Sequence, residues 1–155
     1  MDKKEIIDIQ TDKKNVIELS GCAIIIENKL LLLYRTTHKH YEFPGGKIQP
    51  NETIEQAAIR EAKEEIGCDV ELVKYLGFKE FTANIGTANT SSLKSMRNLK
   101  GHIFLANIIK GEPCVNEPES FENITRIPLN EYEKYNLAEN VKLFIDEIVK
   151  LKREC

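Results

Sequence analysis

Glu61, Glu64 and Glu65 stand at i, i+3 and i+4 in the stretch from Thr53 to Ile66, a spacing that lets carboxylates meet in one small region when the stretch is helical. The helix is signalled independently of the acids. Thr53-Ile54-Glu55-Gln56 matches a capping box, in which the Thr hydroxyl and the Gln side chain satisfy orphan N–H groups, and Gly67 supplies the stop. Counted from Ile54, Ala58, Ala62 and Ile66 fall at roughly 40°, 80° and 120° around the axis and define the stripe that faces a core. On the same count Glu61 and Glu65 fall at roughly 340° and 20°, inside the stripe, and Glu64 at roughly 280°, on its edge. A solvated charge run points away from the apolar residues. These acids converge with them, which is costly unless a cation joins the group.

Three helical carboxylates near a Gly-rich loop form a hard-oxygen donor set suited to Mg²⁺ or Mn²⁺ rather than to zinc. A divalent cation there holds phosphate oxygens and activates a water. Arg60 precedes Glu61 and can hold the acids with its planar fork, and Glu52 is its natural partner across the loop-helix junction.

The elements that must position this group follow from the flanking sequence. ELSGCAIIIENKLLLLYRT, residues 18–36, contains two apolar runs parted at Glu27-Asn28-Lys29 and predicts a hairpin. HKHYEFPGGKIQPNE, residues 38–52, holds Pro44, Gly45, Gly46 and Pro50 and predicts a loop. One helix, Thr53 to about Ile66, follows. DVELVKYLGFKEFTA and GHIFLANIIKG read as strands, joined by a long polar connection over 84–100 that is expected to gate a pocket. EPCVNEPES is loop, ITRIPL a short strand, and residues 130–154 are expected to be largely helical, docking through Val141, Phe144, Ile145, Ile148 and Val149.

Gly46, five residues, Glu52, seven residues, Arg60-Glu61-Ala62, one residue, Glu64-Glu65, one residue, Gly67: this arrangement resembles the signature of the Nudix hydrolases. Its seven fixed residue types coincide by chance on the order of 10⁻⁹ per window. Cys68 stands where that pattern prefers an aliphatic residue, away from the polar chemistry. The resemblance implies an α/β fold, an α/β/α sandwich with a mixed β-sheet, formed by one domain over 1–155. It implies hydrolysis of a nucleoside diphosphate linked to another moiety, with Mg²⁺ or Mn²⁺ bound by Glu61, Glu64, Glu65 and the Gly46 carbonyl. In the family the Glu matching Glu61 is a metal ligand and sometimes the general base, and other members take the base from a later loop. Here the later candidates are Glu119, ranked first, and Glu122.

YEFPGGKI resembles the MutT branch, whose members remove pyrophosphate from nucleoside triphosphates, including oxidised purine forms. ADP-ribose-cleaving relatives carry a proline downstream of the motif and dinucleoside-polyphosphate relatives a tyrosine. This chain has no Pro between Pro50 and Pro113 and no Tyr between Tyr75 and Tyr132. Both readings are weakened by that, and a non-catalytic nucleotide sensor, which loss of motif acids would favour, keeps none of its expected marks. For a purine, Tyr41, Phe43 and Phe81 are the stacking candidates, Phe43 being equally a core residue. Arg35 and Lys47 are the cations nearest the phosphate site, and His38 and His40 read as exposed loop residues.

The remaining arithmetic bounds the partners. In 155 residues, 22 Lys and Arg face 25 Asp and Glu, without the basic excess of a polynucleotide binder. The apolar runs are too short to span a bilayer, no signal peptide is recognisable, and Cys22, Cys68, Cys114 and Cys155 form no CxxC pair. The expectation is a reduced, cytoplasmic enzyme of small nucleotides. Its oligomeric state is open, with dimers common in the family.

Overall fold

A computed structural model describes residues 15–85 and 96–153. Strand β1 (Ile17–Ile26) and strand β2 (Lys29–Arg35) form the expected hairpin, turned by Glu27 and Asn28 at φ 52° and 65°. Two successive positive φ values match the right-handed twist of the paired strands. Strands β3 (His40–Glu42) and β4 (Gly45–Lys47) come next, then helix α1 (Ile54–Ile66), β5 (Asp69–Asn84), β6 (Met96–Lys110), β7 (Asn123–Pro128), a short 3-10 turn (Tyr132–Lys134) and helix α2 (Glu139–Arg153). The sheet runs β3-β2-β1-β6-β5, with β4 paired to β1 and β7 to β2. Only the β1–β6 pairing among the named strands is parallel, so the sheet is mixed.

The continuous apolar runs in β1 and β2 exist because both faces of these strands are covered. Cys22, Ile24, Leu31 and Leu33 pack with Ala58, Ala62 and Ile66 of α1, whereas Ala23, Leu30 and Leu32 pack with Val141, Phe144, Ile145 and Ile148 of α2. Alternate residues of one strand thus serve two cores, and the result is the α/β/α sandwich. Truncating Phe144, fully buried at the centre of the α2 stripe, to Ala costs about 3–5 kcal/mol.

Three expectations are corrected. The Pro- and Gly-rich stretch over 38–52 is not all loop. Its flanks pair as two three-residue strands, β3 on β2 and β4 on β1, because neighbouring backbone offers ladder partners that override local breakers. The connection expected over 84–100 is shorter: Asn84 ends β5 and Met96–Lys100 already pairs with it; the gating expected of this connection concerns 86–95, which lie outside the described residues. The last helix begins at Glu139 rather than near residue 130, since Tyr41 N–H donates to Asn136 O and Ala138 N–H to Tyr41 O, holding the segment before it against β3. The N-terminal 14 residues and Cys155 also lie outside the description. Among the described residues no helix is long and apolar enough to cross a membrane.

Candidate active site

Helix α1 is built as its sequence indicates. Thr53 Oγ1 accepts from Gln56 N–H at 3.0 Å, Gln56 Oε1 accepts from Thr53 N–H at 2.9 Å, and Gly67 closes the helix at φ 71° with its N–H on Lys63 O. Around this axis the three acids differ in exposure as their angles require. Glu65 is 4% exposed, the Glu61 side chain 13% and the Glu64 side chain 46%.

Arg60 gathers the outer members. Its Nε and Nη2 donate to Glu52 at 2.7 and 3.0 Å, and its Nη1 donates to Glu61 at 2.9 Å and to Glu64 at 3.1 Å. Nη2 also reaches Lys47 O at 3.0 Å, which fastens the loop strand β4 to the helix. Glu65 points inward and accepts from Gly45 N–H at 2.6 Å. A Cβ at residue 46 would fall 2.6 Å from a Glu61 carboxylate oxygen and displace that carboxylate. Loop backbone and carboxylate therefore lie against one another.

Burial pushes the Glu65 carboxyl up to about 9, opposed by the Gly45 N–H and reinforced by Glu61, Glu42 and Glu117. Burial also raises Glu61, against the pull of Arg60 and with Glu64 and Glu117 adding to it. Without a cation the pocket is an overcrowded anionic site, which is the behaviour expected of a donor set for a hard divalent ion. Among the described residues, no three His, Cys, Asp or Glu side chains already surround one point. Arg60 and Gly45 donate to the carboxylates. The oxygen donors are of the type that fits Mg²⁺.

A cavity of about 260 Å³ adjoins the acids through Gly45, Gly46 and Lys47. Phe43, Phe81, Leu99 and Ile103 make it apolar on one side, and Arg35, His40 and Glu42 make it polar on the other, with Glu139 and Asn140 at the start of α2. Arg35, Lys47, Phe43 and Phe81 from the candidate set thus line one space. Phe43 does so while buried against Phe144, with ring centroids 6.3 Å apart.

Tyr41 does not line it. Its ring stacks on Tyr34 at 4.9 Å and meets Tyr135 edge-on at 5.5 Å. The reason is strand alternation: once His40–Glu42 is a strand, its odd residue faces away from the even ones. His40 and Glu42 take the site-facing positions instead. Glu42 accepts from Arg35 Nε at 2.6 Å and Nη2 at 3.1 Å, and from His40 Nε2 at 2.5 Å. His38 lines the cavity too, its Nε2 on the Asn84 carbonyl at 2.9 Å. Neither histidine is the freely exposed loop residue expected.

The loop acid whose charge raises both Glu61 and Glu65 is Glu117. Asn116 N–H donates to Glu65 O at 3.0 Å, its Nδ2 donates to Glu64 O at 2.9 Å, and Cys114 N–H donates to Ile66 O at 3.1 Å. The segment thereby satisfies the last carbonyls of α1 and sets the next residue beside the carboxylates. Its far end is pinned by buried Phe121, under the Arg35 guanidinium at 4.6 Å, and by Glu122 N–H on Tyr34 O. Burial raises the Glu117 carboxyl, with Glu119 and Glu64 adding and Arg35 opposing. Glu119 and Glu122 are exposed. An Asn next to a Glu after the helix was the available signal, legible only once the loop was known to cap α1. His102 was also not singled out: it is buried on β6 between Tyr75 OH at 2.8 Å and Glu18 at 3.1 Å, and borders the cavity.

Comparison with known proteins agrees with this architecture. A family model described as NUDIX domain matches residues 19–148. The YtkD protein of Bacillus subtilis (strain 168) is 54% identical over 46 residues, 30% of this chain and 29% of its own length. The 8-oxo-dGTP diphosphatase of Proteus vulgaris is 43% identical over 63 residues, 38% of this chain and 56% of that protein. The matches thus span well under two thirds of either relative. Among solved structures, the MutT NUDIX hydrolase from Burkholderia pseudomallei superposes with a TM-score of 0.71 at 25% identity, covering 85% of this chain and 97% of that one.

Proposed function

The chain belongs to the NUDIX domain family, and from that premise we propose that it is a Mg²⁺-dependent pyrophosphohydrolase that cleaves a nucleoside triphosphate, an oxidised purine form included, to the monophosphate and pyrophosphate. The observation that carries the reading is Glu65, a carboxyl buried in the core stripe of α1 among like charges and bonded to Gly45, which lines the cavity. Such a group is tolerated in a fold when its ionised form has a task. The name carried by the Proteus vulgaris relative favours the oxidised purine.

In this reading Glu61, Glu64, Glu65 and the Gly46 carbonyl would hold Mg²⁺, which would neutralise polyphosphate charge and acidify a water. Arg60 keeps Glu61 and Glu64 turned toward the loop through the bonds it makes to both and to Lys47 O. Arg35 and Lys47 face the phosphates from the cavity wall, and Phe81 with Phe43 form the surface on which a base lies. Glu117 is assigned as the group that accepts the proton of the attacking water at its carboxylate, a role helped by the upward push of burial. Water is the nucleophile, so no covalent enzyme intermediate forms.

The test is a panel of nucleoside triphosphates, 8-oxo-dGTP, ADP-ribose, sugar nucleotides and dinucleoside polyphosphates with Mg²⁺, read by release of phosphate-containing products. Pyrophosphate from a triphosphate supports the reading. Turnover confined to ADP-ribose or a dinucleoside polyphosphate replaces the substrate, and no product from any compound replaces the enzyme with a sensor.

A further inference from the structure

We propose that Cys68 and Cys114 form a reversible oxidation site, in which a low-molecular-weight disulfide converts the two thiols to an intramolecular disulfide that ties the 111–122 segment to the end of α1. Neither cysteine belongs to the hydrolytic site, and the proposal stands whether or not the pyrophosphohydrolase reading holds.

The two thiols converge on one acceptor. Cys68 Sγ donates to Ile66 O at 3.5 Å and Cys114 Sγ to the same oxygen at 3.9 Å. A Cβ on Gly67 would stand 3.3 Å from Cys114 Sγ, and one on Gly111 would stand 3.6 Å from Cys68 Sγ. The sulfurs therefore occupy the narrow space between the helix end and the start of the segment. The backbones are already joined there, by Cys114 N–H on Ile66 O and Asn116 N–H on Glu65 O. After burial, the charge of Cys114 is the next influence that raises the Cys68 thiol, a second sign that the two groups face one another.

Their surroundings set the order of reaction. Cys114 is exposed and Cys68 fully buried, and reactivity follows the accessible thiolate. The Cys114 thiolate attacks a sulfur of glutathione disulfide, forming a Cys114–glutathione bond and expelling one glutathione thiolate. The Cys68 sulfur then attacks Cys114 Sγ, forming the protein disulfide and expelling the second. The two thiol protons end on two molecules of reduced glutathione, and the two electrons lost by the cysteines are those gained by the reagent. Cys22 is no competitor. It is buried under α1 with its Sγ on Ala58 O, and burial pushes its thiol up to about 12.

The experiment treats the full chain with glutathione disulfide, alkylates the remaining thiols and maps tryptic peptides by mass spectrometry. The expected result is a peptide pair joined through Cys68 and Cys114, reversed by dithiothreitol, with a melting temperature higher by about 5 °C or more because the unfolded chain is cross-linked. In Cys68→Ser the expected product is a stable glutathione adduct on Cys114. A wild-type chain that stops at that adduct, stays fully alkylatable, or joins another pair of cysteines overturns the proposal. The wild-type map decides even if Cys68→Ser folds poorly.

Discussion

Two glutamates near enough for one charge to act on the other, Glu65 on α1 and Glu42 on β3, are shifted in opposite directions. Glu65 has one backbone donor and a surround of like charges, and burial carries it up to about 9. Glu42, its side chain 21% exposed, also feels burial pushing it up, yet the hydrogen bonds and charges of His40 and Arg35 outweigh that and pull it below its ordinary range. Burial alone therefore does not mark a functional carboxyl. The distinction lies in whether the fold supplies partners. Glu42 is provided for within the chain and holds Arg35 in place, whereas Glu65 is left to be neutralised from outside, which fits a site completed by a cation and a polyanion.

The sharpest way to break this comparison is Glu65→Gln. The amide keeps the acceptor for Gly45 N–H, so the fold should survive by circular dichroism, while Mg²⁺-dependent turnover should fall more than about 100-fold, beyond the loss typical of a supporting residue. Undiminished hydrolysis would remove Glu65 from the metal set. Arg60→Ala comes next, with turnover down about 10- to 100-fold, since Glu52, Glu61, Glu64 and the Lys47 carbonyl lose their common donor. A steady-state assay across Mg²⁺ concentrations should show the loss as a higher Mg²⁺ concentration for half-maximal turnover.

Stability separates the two glutamates directly. A raised pKa in the folded state means that the Glu65 contribution is complete below its ordinary value of 4.5 and drains away as pH rises toward about 9. A lowered pKa means that the Glu42 contribution is present above the ordinary range and is lost as pH falls. Melting of the metal-free protein should accordingly decline on the alkaline side by about 5 °C or more between neutral pH and pH 9, and Glu65→Gln should flatten that limb. Glu42→Gln should instead lower the melting temperature at pH 7 by roughly 3–8 °C, about 2 kcal/mol for a bond to a charged partner. Thermal scans that moved both variants in the same direction would dissolve the contrast. In the loop, Glu117→Gln should slow turnover about 100-fold, the low end of general-base contributions, and the smallest effect, none, is expected of Glu119→Gln. The reverse result would restore Glu119.

Much of the site was legible beforehand because it lies on one helix. The angles of Glu61, Glu64 and Glu65 follow from α-helical periodicity, and the observed exposures of 13%, 46% and 4% repeat them. The pairing of Arg60 with Glu52 spans only eight residues and was likewise readable. The contributors that went unread come from segments whose conformation is set by distant partners. Glu42 and Tyr41 exchanged roles once pairing with β2 turned a Gly- and Pro-rich stretch into a strand. Glu117 came into view as a candidate beside Glu119 only once residues 114–116 were seen to cap a helix some fifty positions earlier.

By itself, then, the amino-acid sequence determined the periodic elements and the motif they carry: the capped helix, the hairpin with both faces apolar, the acids inside a core stripe, and the family to which such spacing belongs. These follow from rotations per residue and from turn chemistry, which act over a few positions. Only the tertiary structure decided which buried acid was left with a single backbone donor among like charges, which loop acid acts on the cluster, and that Cys68 and Cys114 share a carbonyl. Desolvation and hydrogen-bond satisfaction depend on every atom within a few ångströms, and those atoms come from strands and loops far apart along the chain.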